Sequence, residues 1–168
     1  MTLPASDNFN RANGNLDVVP GNWSKTSDLQ DPQISSNAVV KNAAGDSCGY
    51  WKTDSFNANH YSELKITTAN DGGPAVRCSA SGCYYFSGTS GTNTCSVWRY
   101  KTSGNWVQIG SSFSLTFSGT DVIRLAATGS SPTTLKVYLN GTLKATLTDS
   151  SSPLTTEIGH NLWLLGSL

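Results

Sequence analysis

The chain of 168 residues is long enough for one domain to bury a core that needs no metal or cross-link. Its formal net charge is zero and only 13% of its residues are charged, which argues against a nucleic-acid binder or a polybasic membrane anchor. No apolar run approaches the roughly 20 residues that span a bilayer, and residues 1–7 lack the layout of a signal peptide, so we expect no membrane insertion.

Short runs rich in β-branched and aromatic residues recur along the chain, separated by clusters of Gly, Pro, Asn and Ser, and no segment is convincingly helical. The runs that predict strands are 38–41, 61–68, 75–78, 83–86, 95–100, 106–109, 113–117, 121–127, a hairpin over 135–147, and 162–165. This regular spacing predicts an all-β fold, a sandwich or a barrel, in a single domain over residues 1–168.

The four cysteines predict two disulfides. Cys78 and Cys83 flank residues 79–82, which suit a hairpin loop, so their sulfurs are expected to face each other across neighbouring strands. Cys48 would then pair with Cys95 by elimination. Four thiols in a reducing compartment are the alternative. Zinc is disfavoured because the spacing lacks paired C-x-x-C motifs.

The strongest local signal is Asn140-Gly141 between alternating apolar residues, a pattern typical of a tight β-hairpin. The apolar residues all occupy odd positions and are expected to share one face: Leu135, Val137, Leu139, Leu143, Ala145 and Leu147. Pairing odd with odd positions favours a three-residue loop with a glycine-type bulge over a two-residue turn. The side chains expected on the other face are Lys136, Tyr138, Lys144 and Thr146.

Several segments carry a family resemblance: 6–14 (SDNFNRANG), Asn22-Trp23, 73–77 (GPAVR), 84–86 (YYF), 121–125 (DVIRL) and 137–141 (VYLNG). Together they resemble the small laminin-G-like jelly-roll branch of the concanavalin A-like lectin/glucanase superfamily, over nearly the whole chain. The resemblance implies a two-sheet antiparallel jelly-roll β-sandwich with one concave sheet. Members of this superfamily include carbohydrate-binding modules, surface adhesins and virus-particle appendages.

Relatives usually carry one more strand after a glycine like Gly166, whereas this sequence stops at Leu168. We therefore expect the domain to lack its closing strand or to have that edge completed by another subunit. The Ser- and Thr-rich composition suggests an extracellular, cell-surface or virus-particle location.

Catalytic residues of the superfamily's glucanases are absent from the sequence, so we predict no enzyme activity. Glycoside cleavage requires two carboxylates at a fixed separation. The chain has only two glutamates, Glu63 and Glu157, and neither has a carboxylate partner at i+2 or i+4. No cofactor is predicted. A structural calcium ion stays an open alternative, although Asp7, Asp54 and Asp71 show no calcium-loop spacing.

Arginines and aromatic residues on outward strand faces are the candidate ligand-binding groups, because rings stack on sugars and planar donors bind hydroxyls. If Cys78 faces Cys83, Arg77 lies opposite Tyr84 and points away from the core. The predicted ligand-binding set is Arg77, Tyr84, Trp98, Tyr100, Arg124 and Tyr138. The alternative is that Trp98 and Tyr100 fill the core and the arginines only cap exposed strands.

Two functions follow from these observations. The first is a non-catalytic, lectin-like domain that recognises a glycan or polysaccharide on the concave sheet. The second is a structural or adhesive subunit of a virus particle or cell surface, which would associate with itself or with another structural subunit.

Overall fold

A computed structural model describes residues 5–18, 21–67 and 72–155 and the backbone of 161–164, and none of these residues is helical. No helix in these ranges is therefore long and apolar enough to cross a membrane. The strands in chain order are β1 (Gly14–Asn15), β2 (Trp23–Lys25), β3 (Gln33–Ser35), β4 (Ala38–Val40), β5 (Ser47–Trp51), β6 (His60–Lys65), β7 (Gly72–Ser79), β8 (Gly82–Gly88), β9 (Thr94–Lys101), β10 (Asn105–Gln108), β11 (Phe113–Ser114), β12 (Val122–Thr128), β13 (Thr133–Leu139), β14 (Thr142–Asp149) and β15 (Asn161–Leu164).

The strands form three antiparallel sheets. The large sheet has the order β10-β9-β8-β7-β15-β5-β2, with β11 beside β9, and the small sheet has the order β14-β13-β12-β6. A third sheet of three short strands has the order β1-β3-β4. The predicted all-β antiparallel fold is confirmed.

The main core lies between the large and small sheets. Val76, Phe86 and Val97 of the large sheet pack in one buried cluster with Leu125 and Val137 of the small sheet. On β8, β12 and β13, alternate residues enter this core, as expected for a sheet buried on one face. The opposite side of the large sheet carries a second, separate cluster of buried residues.

The hairpin between β13 and β14 turns more tightly than predicted. Asn140 and Gly141 have φ angles of 49° and 79°, and Leu139 pairs with Thr142. This left-handed pair forms the two-residue turn that Asn-Gly favours, because its twist matches that of the flanking strands. The predicted three-residue loop is therefore wrong.

A β-bulge in β14 restores the expected pairing one step further from the turn. Tyr138 pairs with Leu143 and Val137 pairs with Ala145, so Lys144 is the additional residue of the bulge. The predicted odd-with-odd pairing is confirmed at Val137 and Ala145. Leu143, however, is 48% exposed, so the prediction that it belongs to the apolar face is wrong.

A second bulge places Arg77 inside the protein, although the sequence predicted it outside. Val76 pairs with Tyr84 and Ser79 with Gly82, so the β7–β8 register shifts between them. Arg77 lies in this bulge with a φ of 51°, and its side chain is fully buried. The left-handed residue breaks the strict alternation of faces on which the prediction depended.

The Arg77 guanidinium ties together segments that are far apart in sequence. It donates hydrogen bonds to the carbonyl oxygens of Ala58, Gly129 and Leu154 and to the hydroxyl of Thr133. The backbone N–H of Arg77 also donates to Nε2 of His60, at 2.9 Å. Burial lowers the pKa of His60, which suits a neutral ring that accepts this bond. Arg77 is thus a structural residue.

Tyr84 also lies in the core, in a buried polar network. Its hydroxyl donates to Oδ2 of Asp149 at 2.7 Å and accepts from the Leu154 N–H at 2.9 Å. Arg99, which pairs with Tyr84 across the strands, donates to the same carboxylate. Burial alone would raise the pKa of Asp149, but the hydrogen bonds from Tyr84, Arg99 and Ser151 lower it to about 2.

The four cysteines are buried thiols rather than the predicted disulfides. Cys48, Cys78 and Cys83 lie together on the outer side of the large sheet, where burial raises the pKa of Cys78 well above its usual range. Cys95 lies in the main core on the opposite side of that sheet. The pairing of Cys48 with Cys95 is therefore wrong, since the sheet separates them.

Some predictions fall outside the described residues. These are the closing strand expected after Gly166 and the structural surroundings of Glu157 and Asp71. The predicted strand near the C-terminus does form, as β15 (Asn161–Leu164). It lies between β5 and β7 in the large sheet.

Candidate functional site

The outer side of the large sheet carries a row of aromatic residues. Tyr85 of β8 pairs with Trp98 of β9, and Tyr100 of β9 pairs with Trp106 of β10. Alternation directs these four side chains away from the main core. Tyr50 of β5 belongs to the same outer cluster. We call the surface formed by Tyr50, Tyr85, Trp98, Tyr100 and Trp106 the aromatic face.

The aromatic face has a buried floor and a more accessible upper layer. Tyr85 and Tyr100 are only 2% and 1% exposed and form the floor. Tyr50, Trp98 and Trp106 are half-buried and pack against it. The Trp106 ring centroid lies 4.4 Å from that of Tyr100 and 5.9 Å from that of Tyr85. These contacts fix the orientation of the Trp106 ring.

Polar groups border the rings. The Trp98 indole N–H donates to the Ser96 hydroxyl at 2.8 Å, which fixes the Trp98 ring over its own strand. The side-chain amide of Gln108, which pairs with Trp98, donates to the Gly110 carbonyl and to the Ser112 hydroxyl, both at 3.2 Å. The face therefore combines rings with short polar side chains.

An acidic residue lies at one end of the aromatic face. Asp28 accepts a hydrogen bond of 2.6 Å from the Ser103 N–H and a longer one of 3.5 Å from the Tyr100 hydroxyl. Burial, followed by the charge of Asp28, raises the pKa of Tyr100. Tyr100 is therefore a neutral hydrogen-bond donor at physiological pH.

The outer side of the small sheet carries a different cluster. The Arg124 guanidinium lies 4.3 Å from the Tyr61 ring centroid and 6.0 Å from that of Tyr138. Two of its nitrogens contact Oε2 of Glu63, at 2.8 and 2.7 Å. Arg124 points outward as predicted, but its charge is neutralised by Glu63 and its plane lies close to two tyrosines.

The six predicted ligand-binding residues thus divide among three places. Trp98 and Tyr100 lie on the aromatic face, and Arg124 and Tyr138 lie on the small sheet. Arg77 and Tyr84 are in the interior, which corrects their predicted exposure. The sequence reasoning missed Tyr50, Tyr85 and Trp106 as members of the aromatic face. Tyr85 and Trp106 are the cross-strand partners of Trp98 and Tyr100, so a correct pairing of β8, β9 and β10 would have placed them on the same face.

The aromatic face is poor in groups for acid–base chemistry. The sequences of the strands in the large sheet contain no Asp or Glu. Glu63 is bound by Arg124 on the other sheet. Within the described residues no group of three His, Cys, Asp or Glu side chains is arranged to hold a metal ion.

Comparison with known proteins identifies the fold. No protein-family model and no curated protein matches the chain. Among solved structures, the carbohydrate-binding module CBM66 from Bacillus subtilis is similar with a TM-score of 0.62 and 16% identity, over 84% of this chain and 88% of that chain. The crystal structure of BuGH16Bwt is similar with a TM-score of 0.59 and 9% identity, over 96% of this chain and 79% of that chain.

Both neighbours are jelly-roll folds of the concanavalin A-like type. The predicted jelly-roll β-sandwich is therefore confirmed. The laminin-G-like branch of that fold stays a prediction. At these identities the similarity shows the fold and does not identify a binding site.

Proposed function

We propose that this chain is a non-catalytic carbohydrate-binding domain and that the aromatic face holds the glycan. The observation that carries the proposal is the pair of half-buried indoles, Trp98 and Trp106, held over a floor of Tyr85 and Tyr100. Aromatic rings bind sugars because the apolar C–H face of a pyranose or furanose stacks on the π-surface.

Preorganisation makes these rings suitable for a weakly hydrophobic ligand. Ordering a side chain on binding costs about 0.5–1.5 kcal/mol. The Trp98 ring is already fixed by its bond to Ser96, and the Trp106 ring by its contact with Tyr100. Neighbouring Ser96, Ser112 and Gln108 supply donors and acceptors that suit sugar hydroxyls.

Absence of carboxylates from the strands of the large sheet supports binding without cleavage. A glycosidase needs two carboxyl groups about 5–9.5 Å apart. Asp28, at the end of the aromatic face, is bound by Ser103 and Tyr100 and has no carboxylate within its hydrogen-bonded group. The structural similarity to CBM66, a carbohydrate-binding module, agrees with this reading, and the GH16 neighbour makes hydrolysis the alternative to exclude.

A glycan array and pull-down on insoluble polysaccharides test the proposal. The wild-type protein should be retained by at least one glycan. Arg124→Ala, on the other sheet, should be retained equally well, and incubation should release no reducing sugar. Lack of retention on every glycan, or release of reducing ends, would refute the proposal.

The alternative of a structural or adhesive subunit stays a prediction. It requires self-association or a partner subunit. Measurement of the mass in solution by light scattering is the direct check, since a stable assembly favours that function and a monomer argues against self-assembly.

A further inference from the structure

A cleft of about 510 Å³ lies between the N-terminal segment and Trp51 of β5. Asn8, Asn10, Arg11 and Asn22 contribute polar side chains to its lining. The volume is in the range of sites that hold small ligands. Trp51 and Tyr50 are adjacent on β5 and point to opposite sides of the large sheet, so this cleft is separate from the aromatic face.

Arg11 is held rigidly in the cleft by Asp7. Its Nη1 lies 2.8 Å from both carboxylate oxygens of Asp7. The same carboxylate accepts hydrogen bonds of 2.8 Å from the Trp23 indole N–H and from the Phe9 backbone N–H. Asp7 thus anchors Arg11 to the sheet, and the orientation of the guanidinium is set without any ligand.

The other edge of the Arg11 guanidinium has no partner. Nε and Nη2 are both buried, and neither donates a hydrogen bond. The side chain as a whole is only 15% exposed, so water has little access to these donors. Buried donors are normally satisfied, so two on one side chain need an explanation. The N–H groups of Nε and Nη2 are parallel and match two adjacent oxygen acceptors.

Charge decides which acceptors fit. Asp7 neutralises Arg11, and the other polar lining groups are uncharged amides and a hydroxyl. A carboxylate or phosphate on the free edge would add a negative charge to an Arg11–Asp7 pair that is already neutral, and the described lining residues offer no second cation to balance it. Two neighbouring hydroxyl oxygens of a neutral sugar meet the same geometry without an added charge. Both nitrogens are enclosed, so the groups that cover them must move when a ligand enters.

We propose that this cleft is a second binding site, which takes one neutral sugar residue through two adjacent hydroxyl groups on Nε and Nη2 of Arg11. The site does not depend on the aromatic face. A chain with both sites could contact a polysaccharide at two points, and the resulting avidity would exceed the affinity of either site alone.

The test is an NMR titration of the ¹⁵N-labelled protein with glucose, galactose, mannose, fructose and glucuronate. We expect at least one neutral sugar to shift the Nε–H signal of Arg11 together with the amide signals of Asn10 and Asn22. The same shifts should persist in Trp98→Ala, which damages only the aromatic face. The two sites can therefore fail independently.

Arg11→Lys is the decisive variant because lysine keeps the ion pair with Asp7 but lacks the fork of two parallel donors. In Arg11→Lys the sugar should bind the cleft at least about tenfold more weakly, as measured by the sugar concentration needed to shift the amide signals. A hydrogen bond from a charged donor contributes enough free energy for a loss of this size. Asn22→Ala, at the cleft wall, provides a second variant with less risk to folding.

Three results would overturn the proposal. They are an absence of shifts at Arg11 and Asn22 with every neutral sugar, cleft shifts that Arg11→Lys and Asn22→Ala leave unchanged, and tighter binding of glucuronate than of glucose. The last result would replace the neutral ligand with an acidic one.

Discussion

The interior polar groups and the aromatic face both include residues of the predicted ligand-binding set, but their side chains have different surroundings. Arg77 and Tyr84 have every polar group directed at protein partners between or beside the sheets. Trp98 and Trp106 rest on a buried floor and keep part of their rings accessible. The difference teaches that residue type alone does not identify a binding site. What matters is whether the functional surface of the side chain is already occupied.

The largest effect is expected from removing the Arg77 guanidinium. Arg77→Met leaves the carbonyl oxygens of Ala58, Gly129 and Leu154 without this donor, and we expect a loss of about 3 kcal/mol or more in the free energy of unfolding. Urea denaturation measures it. A loss below about 1 kcal/mol would show that the fold does not depend on the hydrogen bonds of Arg77. The contrast between Arg77 and the accessible rings of the aromatic face would then fail.

Asp149 gives the second effect, through pH. The pKa of its carboxyl is lowered from 3.8 to about 2, so its stabilising contribution is complete above pH 3.8 and is lost as the pH falls toward 2. The shift corresponds to about 2 kcal/mol. Denaturation between pH 5 and pH 2 should show this decrease, and Asp149→Asn should be less stable at neutral pH but flatter in this range. If the free energy of unfolding fell equally with pH in the wild type and in Asp149→Asn, the stabilising role of the Asp149 carboxylate would be contradicted.

The smallest effect concerns the bulge in β14. Leu147→Ala should cost about 1–2 kcal/mol because this side chain packs against the main core. Leu143→Ala should change stability by less than about 0.5 kcal/mol because the side chain is 48% exposed. Thermal unfolding of the two variants compares them directly. Equal losses would mean that Leu143 faces the core after all and that the bulge is elsewhere.

Sequence patterns predicted the sheets well and the site only in part. Alternation identified the core face around Val137 and the outward direction of Arg124, because both lie on regular strands. It failed at Arg77 and Leu143, where a bulge changes the face by one residue. A single residue in a left-handed conformation has no dependable sequence signal unless it is glycine.

The division of the predicted site among three places has a related cause. Strand order in a jelly roll is set by long-range pairing, which local patterns do not reveal. Arg124 and Trp98 each point outward, but they do so on different sheets. The thiols show the same limit: elimination paired Cys48 with Cys95, whereas the large sheet separates them.

The central claim is that the indoles of the aromatic face bind a glycan, and the direct test is the affinity of Trp98→Ala and Trp106→Ala for a polysaccharide that retains the wild type. Each variant should bind at least about tenfold more weakly if a sugar ring stacked on an indole contributes as much as a stacked nucleic-acid base, which is on the order of 1–3 kcal/mol. Both should keep the far-UV circular dichroism of the wild type, and Arg124→Ala should bind like the wild type. Unchanged affinity in both tryptophan variants would contradict the account.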